Sequence, residues 1–313
     1  MHAVTIVDEE LEWREHADPM PGPGELLVAV RAAGLNGADQ LQRRGLYPPP
    51  AGAPEIPGLE LAGDVVTTGA GTSRFAEGDR VMAVVAGGGQ AELAIVHERV
   101  AMPVPDGLPW PDAGGFPEVF TTAHDALFTQ CELRMGERVL VHGAAGGVGV
   151  AGVQLASACG ATVVATVRDE ERRAQVAALA ERVTVVAPES FVDLGPFDVV
   201  LELVGAPNLA PNLAGLATGG RIGIIGLGAG ARAELDLLGL MATRGRIHGS
   251  TLRARPLEEK AAAARRVEQE VLPLVTDGRI RVPVEATYPI SDAAHAYDHF
   301  ARGHKLGKIV LVG

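Results

Sequence analysis

The residues best suited to chemistry lie in one run, Val139-Leu140-Val141-His142-Gly143-Ala144-Ala145-Gly146-Gly147-Val148-Gly149. An apolar strand runs into a glycine-rich turn, and a small-residue helix, Val150-Ala151-Gly152-Val153-Gln154-Leu155-Ala156, follows at once. Such a turn brings bare backbone N–H groups and a helix N-terminus up to a pyrophosphate. In the pattern Ala144-x-Gly146-x-x-Gly149, Gly146 lets the backbone approach the phosphates and Gly149 lets the helix pack close to the strand. The glycines alone say little; the strand before them and the helix after them make the pattern informative. Ala145, Gly146, Gly147, Val148 and Gly149 are the candidate phosphate-binding residues of a dinucleotide site. The structural alternative is a tight turn without a ligand.

An NAD enzyme places an acid on the adenosine ribose roughly 20 residues further on. Here the second strand ends Ala165-Thr166-Val167-Arg168-Asp169-Glu170-Glu171-Arg172-Arg173, with Val167 at the position of the acid. Arg168 follows, and Arg172 lies one helical turn beyond. A guanidinium suits a ribose 2′-phosphate and binds it directionally. The sequence therefore predicts NADPH rather than NADH. The competing reading pairs these arginines with Asp169, Glu170 and Glu171 on a solvated helix start.

These residues need a scaffold, and the middle of the chain supplies a pattern for one. Strands are expected over 138–142, 162–167, 182–187, 198–204, 221–226 and 246–250. Helices are expected over 148–159, 170–180, 208–217 and 234–242. The strands are continuous apolar runs such as Val199-Val200-Leu201, which suits a parallel sheet buried on both faces. Six strands with crossover helices give a doubly wound fold. Residues 1–117 instead alternate short strands (3–7, 26–33, 58–68, 79–85, 91–96) with Gly/Pro turns, as a mostly β domain does. The last part holds two helices (257–276 and 291–302), a strand near 284–288 and a final strand over 308–312. A short terminal strand does not stand alone, so this segment is expected to return to the first domain. The reading is α/β, with a discontinuous, mostly β domain (1–117 and 256–313) around a dinucleotide-binding domain (118–255).

The chain has 313 residues, 47% of them hydrophobic, enough for two domains with real cores. No apolar run reaches the ~18–20 residues needed to span a bilayer. The N-terminus lacks a basic stretch followed by an apolar one, so no signal peptide and a soluble cytoplasmic protein are expected. A formal charge of −12 argues against nucleic acid as a partner. Cys131 and Cys159 have no metal-type spacing and read as small core residues. His142 and His124 are assigned to packing or backbone hydrogen bonds.

Several further runs carry a family resemblance: Leu35-Asn36-Gly37-Ala38-Asp39, Arg43-Arg44-Gly45-Leu46-Tyr47-Pro48-Pro49-Pro50, Gly58-Leu59-Glu60-Leu61-Ala62-Gly63, Gly87-Gly88-Gly89-Gln90-Ala91, Phe116-Pro117-Glu118-Val119-Phe120-Thr121-Thr122-Ala123 and Gly307-Lys308-Ile309-Val310. With the glycine turn, they make the chain resemble the zinc-independent medium-chain dehydrogenases/reductases, specifically the NADPH:quinone oxidoreductases. The resemblance covers nearly the whole chain, in order. It implies a GroES-like catalytic domain, a Rossmann domain, and a cleft between them for NADPH. It also implies a homodimer in which the last Rossmann strands, near 247–252, pair across a two-fold axis. Zinc-dependent relatives have a cysteine where Asn36 falls and a histidine in a Gly-His-Glu run where Gly58-Leu59-Glu60 stands. Those ligands are missing, so no metal is expected. Many quinone reductases also carry a tyrosine where Val186 stands, which leaves the 2′-phosphate to the arginines.

Without a metal, the chemistry belongs to the nicotinamide, which passes hydride to a quinone or to the β-carbon of an enone. By resemblance, Asn36, Tyr47 and Thr122 are the catalytic candidates. Asn36 would donate its amide to a carbonyl. Tyr47 would hydrogen-bond cofactor or substrate, and Thr122 would contact the nicotinamide carboxamide. Gly226 and Leu227, after the fifth Rossmann strand, and Leu252, Arg253 and Lys308 complete the cofactor candidates. Asp39 is expected to make a local contact rather than act as a base. Two rival functions remain: an enone or enoyl-thioester reductase of a biosynthetic pathway, and a non-catalytic NADPH-binding protein. A methyltransferase is disfavoured.

Overall fold

The computed structural model describes residues 1–313. Along the chain the strands are β1 (His2–Val7), β2 (Glu10–Glu15), β3 (Glu25–Gly34), β4 (Glu60–Thr68), β5 (Arg80–Val84), β6 (Leu93–His97), β7 (Ala101–Pro103), β8 (Arg138–Val141), β9 (Thr162–Thr166), β10 (Val183–Val186), β11 (Phe197–Glu202), β12 (Leu216–Ile224), β13 (Arg246–Gly249), β14 (Val284–Pro289) and β15 (Lys308–Val312). The helices are α1 (Gly37–Arg43), α2 (Trp110–Gly114), α3 (Pro117–His124), α4 (Gly147–Ala158), α5 (Glu170–Ala177), α6 (Leu209–Ala214), α7 (Leu237–Thr243), α8 (Leu257–Glu270), α9 (Leu272–Thr276) and α10 (Ala293–Arg302). The chain divides into two units. One is Met1–Thr121 with Leu252–Gly303 and Lys308–Gly313; the other is Thr122–Thr251 with His304–Gly307. No helix is long and apolar enough to cross a membrane.

The first unit is built on a seven-stranded sheet in the order β14-β15-β3-β4-β5-β7, with β6 also paired to β3. In β3 the side chains alternate, and Leu26, Val28 and Val30 turn inward onto Leu61, Val65, Val81 and Val96. The last strand, β15, pairs antiparallel with β3 and parallel with β14. It is seated by α10, whose Ala293, Ala296 and Tyr297 pack with Val4, Ile309 and Leu311. Three chain segments far apart in sequence thus meet near the ends of β3, β4 and β15.

The second unit is a six-stranded parallel sheet in the order β10-β9-β8-β11-β12-β13. Its central strands are buried on both faces, with Leu140, Val164, Val200 and Ile222 packed against Phe191 and Phe197. The order reverses between β8 and β11, the switch point where such sheets bind ligands outside the strand C-termini.

Three local features differ from the expectations. Strand β2 was not anticipated, because Glu10-Leu11-Glu12-Trp13-Arg14-Glu15 reads as polar; it forms a two-stranded ribbon with β1. The helix expected over 257–276 breaks at Val271 (φ −111°), and Pro273, which has no N–H to donate, sits in the first turn of α9. A π-helical turn, Asp125–Gln130, extends α3. Cys131 is a buried core residue whose thiol burial pushes up to about 11, whereas Cys159 is partly exposed.

Candidate functional site

In the second unit, β8 leads through His142 and Gly143 into α4. Gly143 has a φ of +58°, a left-handed conformation that glycine adopts without strain. A Cβ on Gly149 would lie 2.5 Å from Gly143 O and 2.6 Å from Ala144 Cα, so only glycine lets the helix sit on the turn. The first helical bond is Val150 N–H to Gly146 O, and the N-cap, Gly146, has no side chain with which to cap the helix. The N–H groups of Gly147, Val148 and Gly149 are thereby left without helical acceptors at the positive end of the dipole. Ala145 O accepts from Gly307 N (2.8 Å), and Gly146 bridges Gly307, so residues 304–307 run alongside this turn. The five expected phosphate-binding residues, 145–149, form this turn and the first turn of α4, whose uncapped N–H groups suit an anion.

At the end of β9 the two arginines differ. Arg168 is exposed and makes no hydrogen bond or ion pair. Arg172 donates to His304 O (2.6 Å) and Gln175 Oε1 (2.9 Å). Asp169 accepts from Glu171 N as the N-cap of α5 and also pairs with His304 Nδ1 at 3.0 Å. The His304 hydrogen bond holds its carboxyl below the usual range. Arg168 pairs with none of the local acids, whereas the charge of Arg172 acts on Asp169. After β12, Gly226 N donates to Glu202 O (3.1 Å), and Leu227 is half exposed.

In the first unit, Asn36 precedes α1 and its amide is fully engaged. Nδ2 donates to Glu60 Oε1 (2.9 Å) and Gly34 O (3.3 Å), while Oδ1 accepts from Lys308 Nζ (2.8 Å). Lys308 Nζ also donates to Leu35 O (2.7 Å) and Glu60 Oε1 (2.6 Å), using all three of its protons. Glu60 Oε2 accepts from Glu118 N (2.8 Å). Two expectations change as a result. Asn36 has no free amide proton for a substrate carbonyl, and Lys308 faces the interior rather than a cofactor. Asp39 makes the expected local contacts, accepting from Asn36 N (2.8 Å) and Gly58 N (3.2 Å). Burial pushes its carboxyl up to about 6.

No group of three His, Cys, Asp or Glu is placed to hold a metal ion. Asn36, where zinc-dependent relatives carry a cysteine, and Glu60, next to the position of their histidine, already bind the Lys308 ammonium. A divalent ion would have to displace a covalently tethered cation, so the residues do not fit a metal.

Tyr47 is half-buried, and burial raises its phenol pKa. Its ring lies under the Arg253 guanidinium, 5.1 Å from the ring centre, and its hydroxyl makes no hydrogen bond within the chain. Arg253 donates to Ala86 O (2.7 Å), Tyr47 O (3.0 Å) and Gln42 Oε1 (2.7 Å). Expected at the cofactor, Arg253 is instead a brace within this unit, and Leu252 before it is buried. Thr122 is buried within α3. Sequence reasoning missed Glu202, Asn212 and Thr166, whose side chains join His142 in one buried network. An acid, an amide and a hydroxyl spread over 166–212 carry no spacing signal.

Two family descriptions match the chain: the alcohol dehydrogenase GroES-like domain over residues 22–106, and zinc-binding dehydrogenase over residues 160–311. A quinone oxidoreductase from Rattus norvegicus is 30% identical over 309 residues, covering 94% of this chain and 91% of the relative. The spectinabilin polyketide synthase system protein NorB of Streptomyces orinoci is 35% identical over 306 residues, covering 95% of this chain but 13% of that much longer protein. Among solved structures, a mycobacterial protein complexed with NADPH superposes with a TM-score of 0.86 at 28% identity, over 100% of both chains.

Proposed function

Because the chain belongs to the medium-chain dehydrogenase/reductase superfamily, in its quinone-oxidoreductase-like branch, we propose that it reduces quinones or related conjugated carbonyls with NADPH and without a metal. It is an oxidoreductase by family. The observation that carries the coenzyme reading is Arg168, an exposed guanidinium without a partner. It follows β9, the strand adjacent to the one that leads into the uncapped terminus of α4. The mycobacterial structural relative solved with NADPH supports the same reading.

When bound, the reduced nicotinamide supplies hydride to an electron-poor carbon. The chain's part is to bind, to orient and to stabilise charge. The uncapped N–H groups at the start of α4 would hold the pyrophosphate, and the Arg168 guanidinium would hold the 2′-phosphate. As the acceptor is reduced, negative charge grows on its oxygen, and Tyr47 Oη is the donor that meets it. Arg253 holds the Tyr47 ring and backbone for that task.

A second reading, reduction of an enoyl thioester, is favoured by the 35% identity to a polyketide synthase protein. It uses the same hydride chemistry at a β-carbon. One assay separates the two: NADPH absorbance loss with 9,10-phenanthrenequinone, 1,4-benzoquinone and a simple enone in turn. Quinone turnover is expected. Preference for the enone supports the second reading, and no turnover with any acceptor overturns both.

We also propose a homodimer formed through β13. This strand ends its sheet, paired only with β12, and neighbouring α7 exposes Leu237, Leu238 and Met241. An open sheet edge beside an exposed apolar helix face invites a second copy of itself. Light scattering on Leu238→Glu/Met241→Glu should report a monomer where the wild type is a dimer.

A further inference from the structure

His142 stands directly after β8, at the switch point of the sheet, with no exposed surface. Its Nδ1 lies 2.9 Å from Thr166 Oγ1 and its Nε2 lies 2.7 Å from Asn212 Oδ1. Asn212 Nδ2 donates to Glu202 Oε2 at 2.7 Å. Glu202 Oε1 accepts from the N–H groups of Val204 (2.7 Å) and Gly205 (2.8 Å) and from Asn208 Nδ2 (3.3 Å). Thr166, Glu202 and Asn212 are buried as well. The ring is closed in by Phe191, edge-on at 4.8 Å.

These contacts run in one direction only. Four N–H donors on two oxygens make Glu202 the acceptor at the end of the chain. The Asn212 amide must therefore turn its nitrogen to Glu202 and its oxygen to His142. His142 then carries its proton on Nε2, and Nδ1 accepts from the Thr166 hydroxyl. Burial holds the imidazole below its usual pKa, on the neutral side that this pattern needs.

Each link ends on a loop that the coenzyme reading uses. Thr166 ends β9 immediately before Val167 and Arg168, and its carbonyl accepts from Ala144 N of the glycine turn (3.1 Å). Glu202 ends β11 and shapes residues 204–205. Those residues interlock with the segment after β12 through Ala229 N to Val204 O and Ala206 N to Gly230 O, both 2.9 Å. Strands on either side of a switch point send their connections to opposite faces, so nothing covalent fixes the gap between their ends.

We propose that Glu202, Asn212, His142 and Thr166 form a one-way hydrogen-bond chain across the switch point that sets the spacing of the coenzyme-binding loops, with His142 as its central positioning residue. The inference rests on the dinucleotide reading given above. It predicts that the loops around Arg168 and Gly226 lose their mutual placement when any link is cut, while the sheet below remains folded.

The test has two arms on the full-length protein. In the first, long-range 1H–15N NMR of the histidine rings, assigned with His142→Gln, should show His142 neutral and protonated on Nε2. In Glu202→Gln the new amide nitrogen faces Asn212, which turns over, and the ring proton moves to Nδ1. A wild-type proton on Nδ1, a doubly protonated ring, or a tautomer unmoved by Glu202→Gln overturns the chain. In the second arm, Thr166→Val and His142→Phe should raise the NADPH dissociation constant about tenfold, with kcat at saturating NADPH within about twofold. His142→Gln, which keeps a donor and an acceptor, should recover part of the loss. Variants that stay folded and bind NADPH as the wild type does overturn the positioning role. Wild-type protein that binds no pyridine nucleotide overturns the coenzyme reading itself. If His142→Phe does not fold, Thr166→Val and the tautomer in Glu202→Gln still decide.

Discussion

Lys308 Nζ and Glu60 Oε1 lie 2.6 Å apart, and neither residue is more than 2% exposed. Two charges removed from water are tolerated only if every proton and lone pair finds a partner, and Leu35 O, Asn36 and Glu118 N supply them. Lys308→Met leaves a buried carboxylate uncompensated and should cost about 3–5 kcal/mol of unfolding free energy. Adding Glu60→Gln removes that stranded charge, so the double variant should be more stable than Lys308→Met. Urea unfolding of the three proteins checks the order.

Asp39 gives a pH signature with a definite sign. Its carboxyl titrates near 6 in the fold, because burial disfavours the anion, against about 3.9 in an unfolded chain. The folded state thus holds the proton more tightly, and ionisation works against folding. The contribution is complete below about pH 4 and is lost as pH rises through about 6, a change on the order of 3 kcal/mol. Asp39→Asn should abolish it. The wild-type stability advantage over this variant should therefore shrink between about pH 4 and 7 in parallel urea series.

The two arginines after β9 should separate in a coenzyme titration. Arg168→Ala removes an unengaged guanidinium and should raise KM for NADPH about 10–100-fold, leaving NADH within about twofold. Arg172→Ala, already bonded to His304 O and Gln175, should change the NADPH/NADH ratio far less. Equal losses for both nucleotides in Arg168→Ala would contradict the assignment.

Tyr47→Phe deletes one oxygen whose only use is outside the chain. It should lower kcat with a quinone about 10–100-fold, keep KM for NADPH, and leave the thermal midpoint unchanged. Steady-state kinetics and a melting curve decide.

The parts of this molecule that could be read in advance are those coded locally. The glycine turn, the apolar runs of the parallel sheet and the return of 308–312 to β3 each follow from a handful of adjacent residues. The interior charges are different. Asn36, Arg253 and Lys308 look in a sequence like ligand contacts, since polar side chains beside cleft motifs usually face a ligand. Their partners lie as far off as Asn36 from Lys308 or Gln42 from Arg253, and only the completed sheet shows that these groups are already paired. The same limit hid the partners of His142. The two arginines after β9 stand out in the sequence, but that Arg172 is engaged and Arg168 is not depends on His304, in a segment far downstream.

The tethered ammonium at the heart of the first unit has a practical corollary. Under the metal-free reaction proposed above, a cation built into the chain needs no loading step, and growth in depleted medium or prolonged treatment with a chelator should leave the activity unchanged.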